Sequence, residues 1–233
     1  MVCPSPTPLY HITAIDNLKS IAQHGALCSK NVITRLGIGT AGIAYEEIQQ
    51  LRAEKIVREG PSGNLAGGAG PGGTLHDYVP LYFAPRSPML FAINSGAVPG
   101  CVYRQSDIVH LVTSAQSIKD GCRKLIFTDM HAVKTDASFF DDLANLDKVD
   151  WALFFEVPLL AGYCRYWHNR PQPQHHARRK EKRSAEFLVH EELPIAVISD
   201  IGVSTKAAEA QVRAALADTG WSPTVTAVPG WYY

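Results

Sequence analysis

Ala177-Arg178-Arg179-Lys180-Glu181-Lys182-Arg183-Ser184-Ala185-Glu186-Phe187-Leu188-Val189 is a cationic run that feeds straight into an apolar strand carrying one acid. From Arg165 to Arg183, seven lysines and arginines meet a single acid, Glu181, in a chain whose 22 basic and 22 acidic residues cancel. By itself such a run is usually a solvated loop or helix end. Here Glu186 follows it at the start of a β-rich stretch, where nearby positive charge keeps a carboxylate ionised and able to face a cleft. The combination points to a site that meets a polyanion, such as nucleic acid, with one carboxylate beside it.

Working outward, the chain reads as α+β. Strands are predicted at residues 9–13, in short runs through 77–85, around Val102, at 108–112, 125–127 and 151–157, then at 186–189, 196–198 and 224–228. Helices are expected from an Asp16 N-cap to Gly25, over 44–58, and over 206–218 with Gly220 as its stop. In the second helix Arg52 lies one turn from Ile48 and Ile56, so its guanidinium is expected to rise from an apolar face. With no internal repeat and no βαβ alternation, the sequence favours a mixed sheet with peripheral helices, a single domain over 1–233, and not a doubly wound fold.

Composition narrows the function classes. A chain of 233 residues that is 46% hydrophobic buries a real core in one domain. Five cysteines, an odd number without C-x-x-C spacing, argue for reduced thiols in the cytoplasm and against structural zinc. The opening residues lack the basic and apolar regions of a signal peptide, and the apolar stretch 151–163, broken by Glu156 and Pro158, is too short to span a bilayer. Gly37-Ile38-Gly39-Thr40-Ala41-Gly42 matches G-x-G-x-x-G, but about 20 residues on, where a dinucleotide fold needs a strand ending in an acid, stands the glycine-rich stretch 60–73. That stretch lacks the lysine and hydroxyl of a phosphate loop and reads as a loop or lid. His168, His175 and His176 read as solvated loop histidines, and His131 as either a turn histidine or a substrate contact.

Three separated stretches then read together: Leu9-Tyr10-His11-Ile12-Thr13 with Asp16-Asn17-Leu18; His76-Asp77-Tyr78-Val79-Pro80-Leu81-Tyr82-Phe83-Ala84-Pro85-Arg86-Ser87-Pro88-Met89-Leu90; and Arg183-Ser184-Ala185-Glu186-Phe187-Leu188-Val189. In this order, across roughly residues 8–200, they resemble the DarT family of DNA ADP-ribosyltransferase toxins. The resemblance implies an ADP-ribosyltransferase-like fold of two packed, mostly antiparallel sheets with an NAD cleft. It implies transfer of ADP-ribose from NAD to a base of single-stranded DNA, with thymine as the expected acceptor. NAD is consumed, no metal takes part, and the partner is a DarG-like macrodomain antitoxin; a monomer is expected.

By the same resemblance Glu186 is the catalytic carboxylate, with Arg52 contacting NAD and polarising the acceptor base. His11 and Thr13 on the first strand, with Tyr82 and Met89, belong to the NAD cleft. His131, Arg178, Arg179, Lys180, Lys182 and Arg183 are expected to hold the DNA. The residue types suit the chemistry independently, because the nicotinamide bond is glycosidic, breaks through an oxocarbenium-like state and is assisted by a facing carboxylate. The rival readings are a transferase of the same fold acting on RNA or protein, and a single-strand-binding module without turnover.

Overall fold

The computed structural model describes residues 3–59, 70–121 and 124–233. Strand β1 (Pro8–Ala14) is buried on both faces, and a 3-10 turn leads from it into α1 (Leu18–His24), which Gly25 ends at a left-handed φ of 78°. There follow β2 (Ala26–Cys28), α2 (Lys30–Leu36), α3 (Glu46–Glu54), β3 (Tyr78–Tyr82), α4 (Pro88–Asn94), β4 (Ile108–Ser114) and α5 (Ala115–Gly121). The second half holds β5 (Leu125–Thr128), β6 (Phe139–Phe140), α6 (Trp151–Phe155), β7 (Leu159–Leu160), β8 (Tyr163–Cys164), α7 (Arg179–Arg183), β9 (Glu186–His190), β10 (Glu192–Pro194), β11 (Asp200–Val203), α8 (Lys206–Leu216) and β12 (Thr224–Ala227). Among the described residues, no helix is long and apolar enough to cross a membrane.

Among the described residues, eight strands form one ladder in the order β12-β11-β4-β1-β3-β9-β5-β6, and only its β11–β12 pair is parallel. β1 is zipped to β4 from Pro8 to Ala14, and β3 to β9 from Tyr78 to Tyr82. Between β1 and β3, however, the register holds a single pair, Tyr10 opposite Tyr82. The ladder is therefore two four-stranded, mostly antiparallel halves that part at a seam. The His11 side chain bridges it, with Nδ1 2.7 Å from the Pro80 carbonyl.

Alternation along β9 decides which way Glu186 faces. Phe187 and Val189 enter the main core with Phe83, Phe127 and Trp151, whereas Leu188 packs into a smaller cluster with Leu75, Tyr78, Ile126 and Phe139. Glu186 is two residues from Leu188 and so lies on the second face. A third cluster, with Ile12, Leu90, Ile93 and Tyr232, joins β1 to α4 and the end of the chain.

Several local expectations change. Residues 151–155 are helical, because Trp151 and Phe154 share one helix face against Phe83 and the Trp151 indole donates to the Leu146 carbonyl at 2.7 Å. Tertiary packing here overrides the β-propensity of the aromatics. Val102 is exposed coil, and the strand expected at 196–198 is a 3-10 turn (Ile195–Val197) that precedes β11. Asp16 sits within the 3-10 turn and accepts from the Tyr103 hydroxyl, while Asn17 stands at the N-cap position of α1. α3 stops at Glu54, and Ile56 pairs with Thr74 as an isolated bridge. Gly37 caps α2, and Gly37–Gly42 opens no dinucleotide fold. Of the glycine-rich stretch, residues 60–69 lie outside the described residues.

Candidate active site at the seam

Glu186 is completely buried at the head of β9. Its Oε2 accepts from Arg52 Nη1 at 2.6 Å and its Oε1 from the Ala132 amide at 3.1 Å, while His131 Nε2 lies 3.7 Å from Oε1. The Glu186 amide donates to Thr128 Oγ1 at 3.1 Å, and that hydroxyl donates in turn to the Met130 carbonyl at 2.6 Å. Burial alone would raise this carboxyl, but the charges of Arg52 and His131, with the Arg52 and Ala132 hydrogen bonds, outweigh it and hold Glu186 below its ordinary range. The Glu186 carboxylate is thus held ionised in an ion pair with Arg52.

Arg52 comes from the last turn of α3, where it is the one buried residue of that helix. Ile56 beyond it is exposed, so the guanidinium is drawn inward by Glu186 and not by an apolar helix face. Its Nη2 is buried with no hydrogen-bond partner among the described residues. An unsatisfied buried donor of this kind costs roughly 1–3 kcal/mol and is a natural partner for a ligand oxygen.

His131 follows β5, its amide held by the Glu181 carbonyl at 2.9 Å. Burial lowers its imidazole, Arg52, Lys134 and Lys180 push the same way, and Glu186 opposes. His11 is likewise lowered, to about 4, by burial and by Arg52, against its bond to Pro80. Since Pro80 can only accept, Nδ1 carries the proton and Nε2 presents a lone pair. Tyr82 lies directly opposite Glu186 across the β3–β9 pair, and burial followed by the Glu186 charge raises its phenol.

The other expected residues fall differently. The Thr13 hydroxyl accepts from Asn17 Nδ2 at 3.0 Å, and Asn17 clasps Ala41 through both its amide and carbonyl; Thr13 anchors the 37–45 segment to β1. Met89 is half-buried and packs on the cluster of Ile12 and Leu90, a structural contact.

The cationic run divides: Arg179 and Arg183 are buried, Lys182 is half-buried, and Arg178 and Lys180 are exposed. Arg178 pairs with Asp136 at 2.5 Å, Lys182 with Asp150 at 2.9 Å, and Arg179, 2% exposed, with Glu156 at 2.7 Å. Arg183, also 2% exposed, donates to the carbonyls of Leu153 and Cys164 at 3.1 and 3.2 Å and lies over the Phe154 ring. Arg179 and Arg183 are four apart on α7 and so share its inner face. Both guanidinium groups are turned inward here, away from the surface at which a DNA clamp was expected. Lys180 alone of the five is exposed without a side-chain partner among the described residues. The histidines 175 and 176 are not simply solvated either. Both contact Glu156, and His176 is buried against Arg179, which also pairs with Glu156.

Sequence reasoning missed the Ala132 amide, because a backbone donor leaves no residue-type signal, and the Thr128 hydroxyl, because only the pairing of β5 with β9 brings it to Glu186. The structure brings Glu186, Arg52, His131 and Tyr82 together, with His11 on the neighbouring strand.

Against known proteins, residues 10–233 match the family described as ssDNA thymidine ADP-ribosyltransferase, DarT, so the match runs on through the last thirty residues. A DNA ADP-ribosyl transferase of Thermus sp. is 38% identical over 99% of this chain and 98% of its own length. The fold superposes on Thermus sp. DarT in complex with ADP-ribosylated ssDNA with a TM-score of 0.83 at 38% identity, covering 100% of this chain and 99% of that one. Thermus sp. DarT in complex with NAD+ gives 0.78 at 36% identity, covering 100% of each chain. Sequence, fold and coverage agree along the whole length, and the chain belongs to the DarT family.

Proposed function

We propose that this protein consumes NAD and transfers its ADP-ribose to thymine in single-stranded DNA, with Glu186 as the catalytic carboxylate. The observation that carries the reading is a buried, ionised Glu186 beside an Arg52 whose second amino group is left without a partner. In the reaction the bond between the nicotinamide nitrogen and the ribose C1′ breaks, its electron pair leaves with nicotinamide, and C1′ becomes oxocarbenium-like. A fixed negative charge in a site shielded from water stabilises that cation without reorganising. A nitrogen of the base then bonds to C1′ and releases its proton by way of the Glu186 carboxylate to solvent. Because Glu186 is held acidic, it works chiefly as a charge and a hydrogen-bond acceptor and keeps the proton only briefly.

Arg52 Nη2 offers a donor to an oxygen of the substrate or the acceptor base. His11 Nε2 accepts from a ribose hydroxyl, which a neutral ring alone can do. Tyr82 and His131 flank the carboxylate. The whole chain acts as one domain, supported by a main core that runs from Leu9 to Val225. By the family resemblance it works as a cytoplasmic toxin, and its partner is a DarG-like antitoxin.

The test is intact mass spectrometry of single-stranded oligonucleotides incubated with the protein and NAD. One ADP-ribose is expected on strands that contain thymine and none on strands without it. Glu186→Gln, which keeps the shape and removes the charge, is expected to lower the rate by about 100- to 1,000-fold. A Gln variant with undiminished transfer would sink the mechanism.

A further inference from the structure

Arg179 and Arg183 are buried and Arg178 and Lys182 are ion-paired with Asp136 and Asp150, so the basic run leaves Lys180 as its cation without a side-chain partner among the described residues, and a nucleic-acid strand needs further cations. The segment Arg165-Tyr166-Trp167-His168-Asn169-Arg170 interleaves cations with aromatics. Tyr166 is 36% exposed, the Arg170 Cζ lies 5.0 Å and the Arg165 Cζ 6.0 Å from its ring centroid, and neither arginine has an acidic partner among the described residues. Beneath them Trp167 is buried, stacked on His168 at 3.8 Å and edge-on to the exposed Phe91 at 5.4 Å, so the outer side chains stand on a fixed base.

This surface is wired to the active site. Asn169 Oδ1 accepts from the Lys180 amide at 2.6 Å, and its Nδ2 donates to Glu181 Oε2 at 3.0 Å. The Glu181 carbonyl accepts from the His131 amide at 2.9 Å, and His131 stands 3.7 Å from Glu186. Between the platform and the site lies Lys180, which has no side-chain partner among the described residues and whose charge acts on both His131 and His168.

We propose that Arg165, Tyr166, Arg170 and Lys180 form the surface that holds the strand flanking the reacting base, with a base stacked on Tyr166 and phosphates paired by the three cations. The proposal rests on single-stranded DNA being the acceptor. An exposed ring between uncompensated cations is what sequence-tolerant binding of a single strand requires, since every base has a π-face and every nucleotide a phosphate. An acidic protein would satisfy the cations but has no use for the stacking ring. Phosphate contacts from this surface set position, and sequence choice stays at the Glu186 pocket.

The test compares transfer to two strands carrying the same central thymidine, one of about 3 nucleotides and one of about 12, a span typical of single-strand grooves. In the wild type kcat/KM rises with length. In Tyr166→Ala and in Arg165→Ala/Arg170→Ala the ratio of long- to short-strand kcat/KM is expected to fall roughly tenfold, the loss of one stacked base. The slope of log affinity against log salt is expected to flatten by about 0.7 for each arginine removed. Tyr166→Phe keeps the ring and is expected to keep the ratio, which separates stacking from a folding defect. An unchanged ratio and salt slope in the alanine variants would overturn the platform while leaving the proposed reaction standing. A wild type that modifies no DNA strand of either length would instead remove the reading on which the platform rests.

Discussion

Glu186 and the two histidines nearest the seam show how burial sets charge residue by residue. Glu186 stays ionised because Arg52 and the Ala132 amide hold it, whereas His11 and the fully buried His110 stay neutral, each lowered to about 4 chiefly by desolvation. The signs follow by linkage. A lowered carboxyl contributes stability that is present above its unfolded pKa and lost as pH falls through the folded value. A lowered histidine costs stability once pH drops below its unfolded value of 6.5, because the unfolded chain takes up a proton that the folded chain refuses down to about 4. We therefore expect stability to decline between pH 6.5 and 4 by a few kcal/mol for each histidine. Urea unfolding across that range checks this, and His11→Gln should flatten the slope; a pH-independent midpoint would contradict it.

At the scale of elements, α7 is a clasp more than a clamp. Its inner face sends Arg179 to Glu156 on the end of α6 and Arg183 to carbonyls beside α6 and β8, so the helix ties the segment before β9 to the core. Arg183→Ala is expected to cost about 3 kcal/mol of stability, as loss of a buried cation leaves its acceptors unpaired. Lys180 is exposed and has no side-chain partner among the described residues, so Lys180→Ala should leave the melting temperature within a degree or two and weaken binding to single-stranded DNA. Calorimetry and anisotropy on the same two variants separate these roles. The reverse pattern, with Arg183→Ala stable and defective only in DNA binding, would restore the clamp.

Across the whole molecule, the last residues close the sheet. Tyr232 Oη lies 3.0 Å from the carbonyls of Ile108 and Gly202 and 3.1 Å from His110 Nδ1, while Arg86 Nη1 donates to the Tyr232 carbonyl at 2.6 Å. The Trp231 ring packs so closely on β11 that a Cβ at Gly202 would lie 2.2 Å from it. Gly202→Ala should thus cost about 1–3 kcal/mol through overpacking. Because Tyr232, next to Trp231, is held by Arg86 after β3, the expected effect includes a looser turn after β3 and, through Tyr82 at the end of that strand, a raised KM for NAD. A melting curve with NAD titration reads both, and an unperturbed Gly202→Ala would show that the tail is not held in this way.

The sequence by itself determined the three stretches that became β1, β3 with its following turn, and β9, since each is a short apolar run with local turn chemistry that needs no distant partner to be read. It also determined that a carboxylate at 186 heads a strand behind a cationic segment, and through those stretches the family. Only the tertiary structure decided what the charges do. Arg52 and Glu186 are 134 residues apart, and Arg178, Lys182 and Arg179 find their acids 42, 32 and 23 residues away. A run of like charges in sequence carries no record of which partners the fold will bring to it, so a solvated clamp and a buried clasp look the same until the chain is folded. The same holds for residues 151–155, whose aromatics favour a strand locally and become a helix because the core they fill is built from strands elsewhere.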